Sequence, residues 1–86
     1  MSLSMDTVLK NAKQNLDEAK KLQKDHAGAK TPEDKAKHLK QASELKKDLE
    51  SQKKEIEQLQ KQIEAETQLL KLHNDTAMSI LKNMGH

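Results

Sequence analysis

Apolar residues recur at every seventh position through the second half of the chain. This series, taken as the a positions of a heptad, is Ala42, Leu49, Ile56, Ile63, Leu70, Ala77 and Met84. The matching d positions are mixed: Leu45, Leu59 and Ile80 are apolar, whereas His38, Gln52, Glu66 and His73 are polar. A sustained seven-residue repeat is typical of a left-handed coiled-coil seam. The pattern therefore predicts one long helix over about residues 32–84. Within it, Gln52, Glu66 and His73 are expected to form polar layers that fix register and choice of partner.

A leaner apolar stripe precedes this region. Its members recur at helical spacing and are Met5, Val8, Leu9, Ala12, Leu16, Ala19 and Leu22. Several of them are small, and the residues between them are mostly charged or amide-bearing. The spacing predicts an amphipathic first helix over about residues 4–27. This helix would be much shorter than the second.

The boundary between the two helices has the clearest local signals in the chain. The single proline and one of the two glycines lie within five residues of each other. Thr31 suits the N-cap, Pro32 the first helical position, and Asp34 the third position of an acidic capping box. Gly28 suits the left-handed conformation that often follows a helix. We therefore expect a loop over about residues 28–31.

Folding the two predicted helices into a hairpin leaves much of the second helix uncovered. A turn near residues 29 and 30 brings Met5 to about the level of Ile56, and there the first helix ends. Everything from Leu59 onward then lacks a partner within the chain, although this stretch is the most apolar part of the sequence. An unpaired apolar stripe in water favours association with another helix. The predicted interface residues are Leu49, Ile56, Leu59, Ile63, Leu70, Ala77, Ile80, Leu81 and Met84.

These inferences give an all-α fold, a helical hairpin that assembles into a coiled coil or helical bundle, as a single module over residues 1–86. Residues 1–3 and 85–86 are candidates for additions made for expression. The first functional hypothesis is a structural module that self-associates, most economically as a dimer, with higher oligomers left open. The alternative is a small adaptor or chaperone, for example of a secretion-type assembly. Its apolar groove would bind an amphipathic helix of a different protein.

Composition removes several other classes of function. The 86 residues include no cysteine and no aromatic residue, and 35% are charged. Sixteen basic residues, all lysine, are interspersed with 14 acidic ones, giving a net charge of +2. Without cysteine there are no disulfides, thiolate metal sites or cysteine nucleophiles. Without arginine or aromatic residues, specific nucleic-acid recognition is not expected. We see no signal peptide or membrane span and expect a soluble protein, with its compartment left open.

No residue pattern points to catalysis or to a cofactor. The four histidines form neither a His-Glu-x-x-His motif nor a pair at i,i+4. Glu66 and His73 would converge on a metal only in a symmetric oligomer, and we interpret them as polar layers. The paired carboxylates lie among lysines, and two glycines cannot build a phosphate-binding loop. Asn74-Asp75-Thr76 matches the glycosylation pattern, which we treat as a coincidence within a helix. The sequence predicts no enzyme, cofactor, metal site or small-molecule substrate.

Overall fold

The chain folds into a three-helix bundle within the residues that the computed structural model describes. These are residues 5–60 and 64–85 for the backbone, and residues 5–60 and 67–85 for the side chains. The helices are α1 (Met5–Ala27), α2 (Pro32–Gln60) and α3 (Glu64–Met84). Each helix packs against both of the others. The prediction of an all-α fold is confirmed.

The helix predicted over residues 32–84 is not continuous in this chain. Such a helix would be about 80 Å long at 1.5 Å per residue, whereas the longest dimension of the bundle is 47 Å. Instead α2 ends at Gln60, and α3 folds back against α1 and α2. Burying a large aliphatic side chain contributes about 1.5–3 kcal/mol. Folding back therefore covers within one chain the apolar residues that a straight helix would leave in water.

The N-cap predicted at Thr31 is formed at the start of α2. The backbone N–H of Asp34 donates to Oγ1 of Thr31 over 3.1 Å, and the N–H of Lys35 donates to the Thr31 carbonyl oxygen over 3.1 Å. The prediction for Gly28 is wrong, because the described glycines have no positive φ. Instead the N–H of Gly28 donates to the Lys24 carbonyl oxygen over 3.1 Å, as in a continuing α-helix. The chain therefore leaves α1 without a left-handed residue.

Two apolar clusters fill the bundle, and all three helices contribute to each. The cluster near the α1–α2 connection consists of Ala19, Leu22, Ala42, Leu45, Leu49, Ala77, Leu81 and Met84. The cluster at the opposite end consists of Val8, Ala12, Ile56, Leu59 and Leu70. Several members are alanines, which occupy little space between helices. The lean stripe of α1 is thus suited to being packed against two helices.

Most of the predicted interface residues belong to this core. Those buried within the chain are Leu49, Ile56, Leu59, Leu70, Ala77, Leu81 and Met84. Ile80 is half-buried, and Ile63 lies outside the described residues. The intermolecular role predicted for the residues from Leu59 onward depends on their having no partner within the chain, and that reason does not hold for Leu59, Leu70, Ala77, Leu81 and Met84 in this fold. Self-association itself stays a prediction.

The three predicted polar layers have different environments. Gln52 is buried inside the bundle, and His73 is half-buried at its surface. The side chain of Glu66 lies outside the described side chains. The structure therefore gives Gln52 an internal contact, described below, and places His73 at the surface.

Candidate interaction surface

Charge is segregated to one side of α3 over residues 67–84. Between residues 67 and 84 the charged residues are Lys71, Asp75 and Lys82. Their spacings of four and seven residues place them on one stripe of the helix. A stripe without charge lies on another side of the helix and consists of Leu69, Leu72, Thr76, Ser79, Ile80 and Asn83. We call this stripe the neutral face. All of its members are exposed or half-buried.

Two leucines stand out on the neutral face. Leu72 is 60% exposed and Leu69 is 47% exposed. The described residues include one other exposed large hydrophobic side chain, Leu39, which lies on α2. Because residues three apart are neighbours on a helix, Leu69 and Leu72 form one apolar patch. Adjacent exposed apolar side chains beside a groove are typical of a surface that binds another protein.

The apolar patch continues into a groove between α1 and α3. Met5 and Leu9 are half-buried and pack against the core. Together with Asp6, Leu69 and Leu70 they line a concavity of about 250 Å³. At the opposite end of the bundle, His26 lies near Met84. The helices α1 and α3 are therefore parallel, and the groove between them follows both.

Further apolar side chains extend this groove, which we call the α1/α3 groove. Leu16 lies two turns after Leu9 on α1, and Ile80 lies three turns after Leu69 on α3. Both are half-buried and pack against the core. The rise from Leu69 to Ile80 is about 16 Å at 1.5 Å per residue. The groove is thus long enough to accommodate about three turns of another helix.

The two rims of the α1/α3 groove differ in charge. On α1, Lys13 lies four residues after Leu9, and Lys20 lies four residues after Leu16, so both lysines flank the apolar stripe. Both are exposed. The α3 rim is the neutral face and has no charge. A ligand in this groove would therefore meet an apolar floor and an uncharged edge on α3. The edge on α1 has Asp6 at one end and Lys13 and Lys20 further along the helix.

An acidic groove lies between α1 and α2 and encloses about 410 Å³. Its carboxylates are Glu18, Asp25, Glu44 and Asp48, and Lys21 lies among them. All four carboxylates are exposed to solvent. Exposed charges interact weakly because water and salt screen them. The carboxylates of this groove are therefore in contact with water.

Two histidines meet across the α1–α2 connection. The ring centroids of His26 and His38 are 6.2 Å apart, with the rings nearly perpendicular. The Nδ1 atom of each ring is buried and has no hydrogen-bond partner among the described residues. Among all the residues that the structure describes, no group of three or more His, Asp or Glu side chains could hold a metal ion. Zinc in proteins usually has four ligands in a tetrahedral arrangement, and this pair of imidazoles supplies only two of them.

The neutral face was not predicted, although the charge pattern that marks it is present in the sequence. The spacing of Lys71, Asp75 and Lys82 separates the charged side of α3 from the neutral side, whereas the seven-residue repeat indicates only the side that becomes buried.

Asn74 is 1% exposed, and its Nδ2 donates two hydrogen bonds. This burial is consistent with treating Asn74-Asp75-Thr76 as a coincidental match to the glycosylation pattern.

None of the helices described here has the length and apolar character needed to cross a membrane. Comparison with known protein families, with curated proteins and with solved structures finds no match to this chain.

Proposed function

We propose that the protein is a non-enzymatic adaptor that binds an amphipathic helix of a different protein in the α1/α3 groove. The observation that carries this proposal is the exposure of Leu69 and Leu72 on the neutral face. Leu69 lines a concavity together with Met5 and Leu9, and Leu72 lies one turn after Leu69 on the same helix. Binding an apolar helix face would remove this surface from water, at about 25 cal/mol per Å² of apolar area.

The shape of the groove favours a helix as its occupant. Helices that bind in grooves contribute apolar side chains at i, i+3 or i+4 and i+7. A fourth helix placed along α1 and α3 would convert the three-helix bundle into a four-helix bundle, a common arrangement for helices of this length. The partner's apolar side chains would contact Leu9, Leu69 and Leu72.

The charge of the rim favours acidic residues on one flank of the partner helix. Lys13 and Lys20 border the groove on α1, and the chain places no carboxylate on the neutral face opposite them. A second copy presenting its own neutral face would bring no carboxylate to these lysines, which would then have only Asp17 of their own helix, four residues after Lys13 and three before Lys20. A foreign helix with glutamates on the matching flank would pair with them. This difference favours a heterologous partner over a second copy in this groove.

A labelled peptide tests the proposal directly. The probe is a fluorescein-labelled peptide of about 18 residues, long enough for about 27 Å of helix. It carries leucines on one stripe and glutamates on one flank. We expect a saturable rise in fluorescence anisotropy. A peptide with lysine in place of glutamate should bind more weakly, and a scrambled peptide should not bind.

Matched variants locate the binding surface. Replacing Leu69 and Leu72 together by glutamine should weaken binding at least about tenfold, since each leucine contributes about 1 kcal/mol or more when covered. Replacing Lys71 and Lys82 by glutamine, on the charged stripe of the same helix, should leave affinity within about twofold. Equal affinity for ordered and scrambled peptides, or no effect of the leucine variant, would refute the groove as the site. A dimer of the free chain that the leucine variant dissociates would instead assign this face to a second copy.

A further inference from the structure

The connection between α2 and α3 lacks the residues that normally end helices. From residue 33 to residue 84 the sequence contains neither glycine nor proline. Around the connection it reads Glu-Gln-Leu-Gln-Lys-Gln-Ile-Glu-Ala-Glu over residues 57–66, and these residue types mostly favour helix. The α1–α2 connection, by contrast, is flanked by Gly28 and Pro32. The sequence between α2 and α3 is therefore compatible with continuous helix.

One row of buried residues keeps the same heptad phase in α2 and α3. The second buried row shifts by one position: it is Leu45, Gln52 and Leu59 on α2 and Thr67, Asn74 and Leu81 on α3. Leu49 and Ile56 on α2 and Leu70 and Ala77 on α3 are separated by multiples of seven, and all four are buried. A hairpin does not require this relation, because each helix can rotate independently to face the core. A continuous helix requires it if one stripe is to stay apolar along its whole length. The row that contains Leu49, Ile56, Leu70 and Ala77 therefore meets a condition that the folded-back form does not impose, and the second row lies one position away from it.

From these two features we propose that the chain also forms a domain-swapped dimer. In this dimer residues 32–84 of each copy form one continuous helix, and α3 of each copy packs against α1 and α2 of the other. In each copy, α3 of the other copy thus fills the space that its own α3 fills in the closed chain. Exchange of an identical element is a low-cost route to dimers, because the contacts are those of the monomer.

The contacts to be exchanged are specific. Leu70 would pack against Val8, Ala12 and Ile56 of the other copy, which are its neighbours in the same apolar cluster of the closed chain. The hydrogen bond from Asn74 Nδ2 to the Leu49 carbonyl oxygen, 2.9 Å in the closed chain, would likewise form between copies. The two long helices would cross near residue 62, at the twofold axis. This proposal does not depend on the adaptor function, because the neutral face of α3 stays outside the core in both forms.

Distance measurement between two spin labels on one chain distinguishes the forms. The natural chain has no cysteine, so cysteines introduced at the exposed positions Lys47 and Ser79 can carry nitroxide labels. In the closed chain these positions lie on adjacent helices, whose axes are about 8–10 Å apart, and the labels should be within about 25 Å of each other. In a continuous helix the same positions are about 48 Å apart at 1.5 Å per residue.

The labelled chain is unfolded with an excess of unlabelled chain and refolded at high concentration, so that measured distances arise within one chain. Labels at Lys40 and Lys54, both exposed on α2, serve as a control and should give about 21 Å in either form. We expect a population near 48 Å in the dimer fraction from gel filtration. A dimer whose labels stay at the short distance would overturn the swap and indicate a side-by-side dimer. A chain that remains a 9.8 kDa monomer at every concentration would also overturn it.

Paired variants at the connection give a second readout. Replacing Lys61 and Gln62 by alanine favours continuous helix, whereas replacing both by glycine disfavours it. Because a dimer contains both substitutions twice, the dimerisation constants of the two variants should differ by roughly a hundredfold or more. Sedimentation equilibrium with interference optics suits a chain without aromatic residues. Equal dimerisation constants for the two variants would contradict a continuous helix at this point.

Discussion

Asn74 on α3 donates a hydrogen bond from its side-chain Nδ2 to the main-chain carbonyl oxygen of Leu49 on α2, over 2.9 Å. The same Nδ2 lies 3.3 Å from Oε1 of Gln52, which accepts a second hydrogen bond. Asn74, Gln52 and Leu49 are all buried. A polar side chain placed between two helices in an apolar core holds them at one register, because other registers leave its polar atoms unpaired.

Replacing Asn74 by alanine should lower the free energy of unfolding by roughly 1–3 kcal/mol, because the Gln52 amide then remains buried without this partner. Urea denaturation followed by circular dichroism measures the change. The neighbouring exposed residue Asp75 provides the control, since Asp75→Ala should stay within about 0.5 kcal/mol of the natural chain. Equal effects at the two positions would show that the interhelical bond does not contribute to stability.

The seven-residue repeat predicted which side of residues 32–84 is apolar, but it could not predict what covers that side. Leu70 and Ala77 lie on the expected stripe and are buried. Whether the covering helices belong to the same chain or to another depends on the connection at residues 61–63, where no glycine or proline indicates a turn. A periodic pattern contains no information about direction, so a straight helix and a folded-back pair appear identical in sequence.

Leu70 and Leu72 test whether the core is intrachain. Leu70 is fully buried, and Leu72 is 60% exposed. We expect Leu70→Ala to cost about 2–5 kcal/mol because it leaves a cavity, whereas Leu72→Ala should cost less than about 1 kcal/mol. The measurement is urea denaturation over a wide range of protein concentration, under conditions in which sedimentation shows a monomer. A midpoint that rises with concentration there would indicate that Leu70 is buried by another chain.

The sequence predicted the Thr31 cap but not the contact between His26 and His38, because only the cap is formed by residues that are close together in the chain. The cap at Thr31 depends on residues within three positions of each other, and the predicted bond is formed. The meeting of His26 and His38 depends on how α1 and α2 pack across the connection, and no sequence pattern indicated it. The neutral face is partly predictable. Its lack of charge is evident from the sequence, but its exposure to solvent depends on which side of α3 faces the core.

The N-cap of α2 should contribute measurably to stability. Thr31 Oγ1 accepts a hydrogen bond from the Asp34 N–H, which would otherwise lack a partner in the helix. Thr31→Ala should therefore lower the free energy of unfolding by about 1 kcal/mol, within a usual range of 0.5–2 kcal/mol. Thr31→Ser keeps the hydroxyl and should change stability little. If serine were as destabilising as alanine, loss of the methyl group and not of the cap would be responsible.

Gly28→Ala should stabilise the protein. Gly28 has no positive φ, and its N–H bonds to the Lys24 carbonyl oxygen as in a helix. A Cβ added there would meet the carbonyl oxygens of Lys24 and Asp25 at 3.7 and 3.8 Å, which are ordinary van der Waals distances. Alanine would therefore fit without strain and would reduce the conformational freedom of the unfolded chain, a gain of about 0.4–1 kcal/mol.

A comparison of Gly28→Ala with Gly28→Asn decides between this geometry and the left-handed one first expected from the sequence. In a right-handed conformation alanine is preferred to asparagine, whereas in a left-handed conformation asparagine is the better tolerated of the two. We therefore expect thermal unfolding midpoints in the order alanine, then asparagine. If asparagine instead gave the higher midpoint, and alanine a midpoint below that of the natural glycine, Gly28 would be in the left-handed conformation. Gly28 would then be the residue that caps the end of α1.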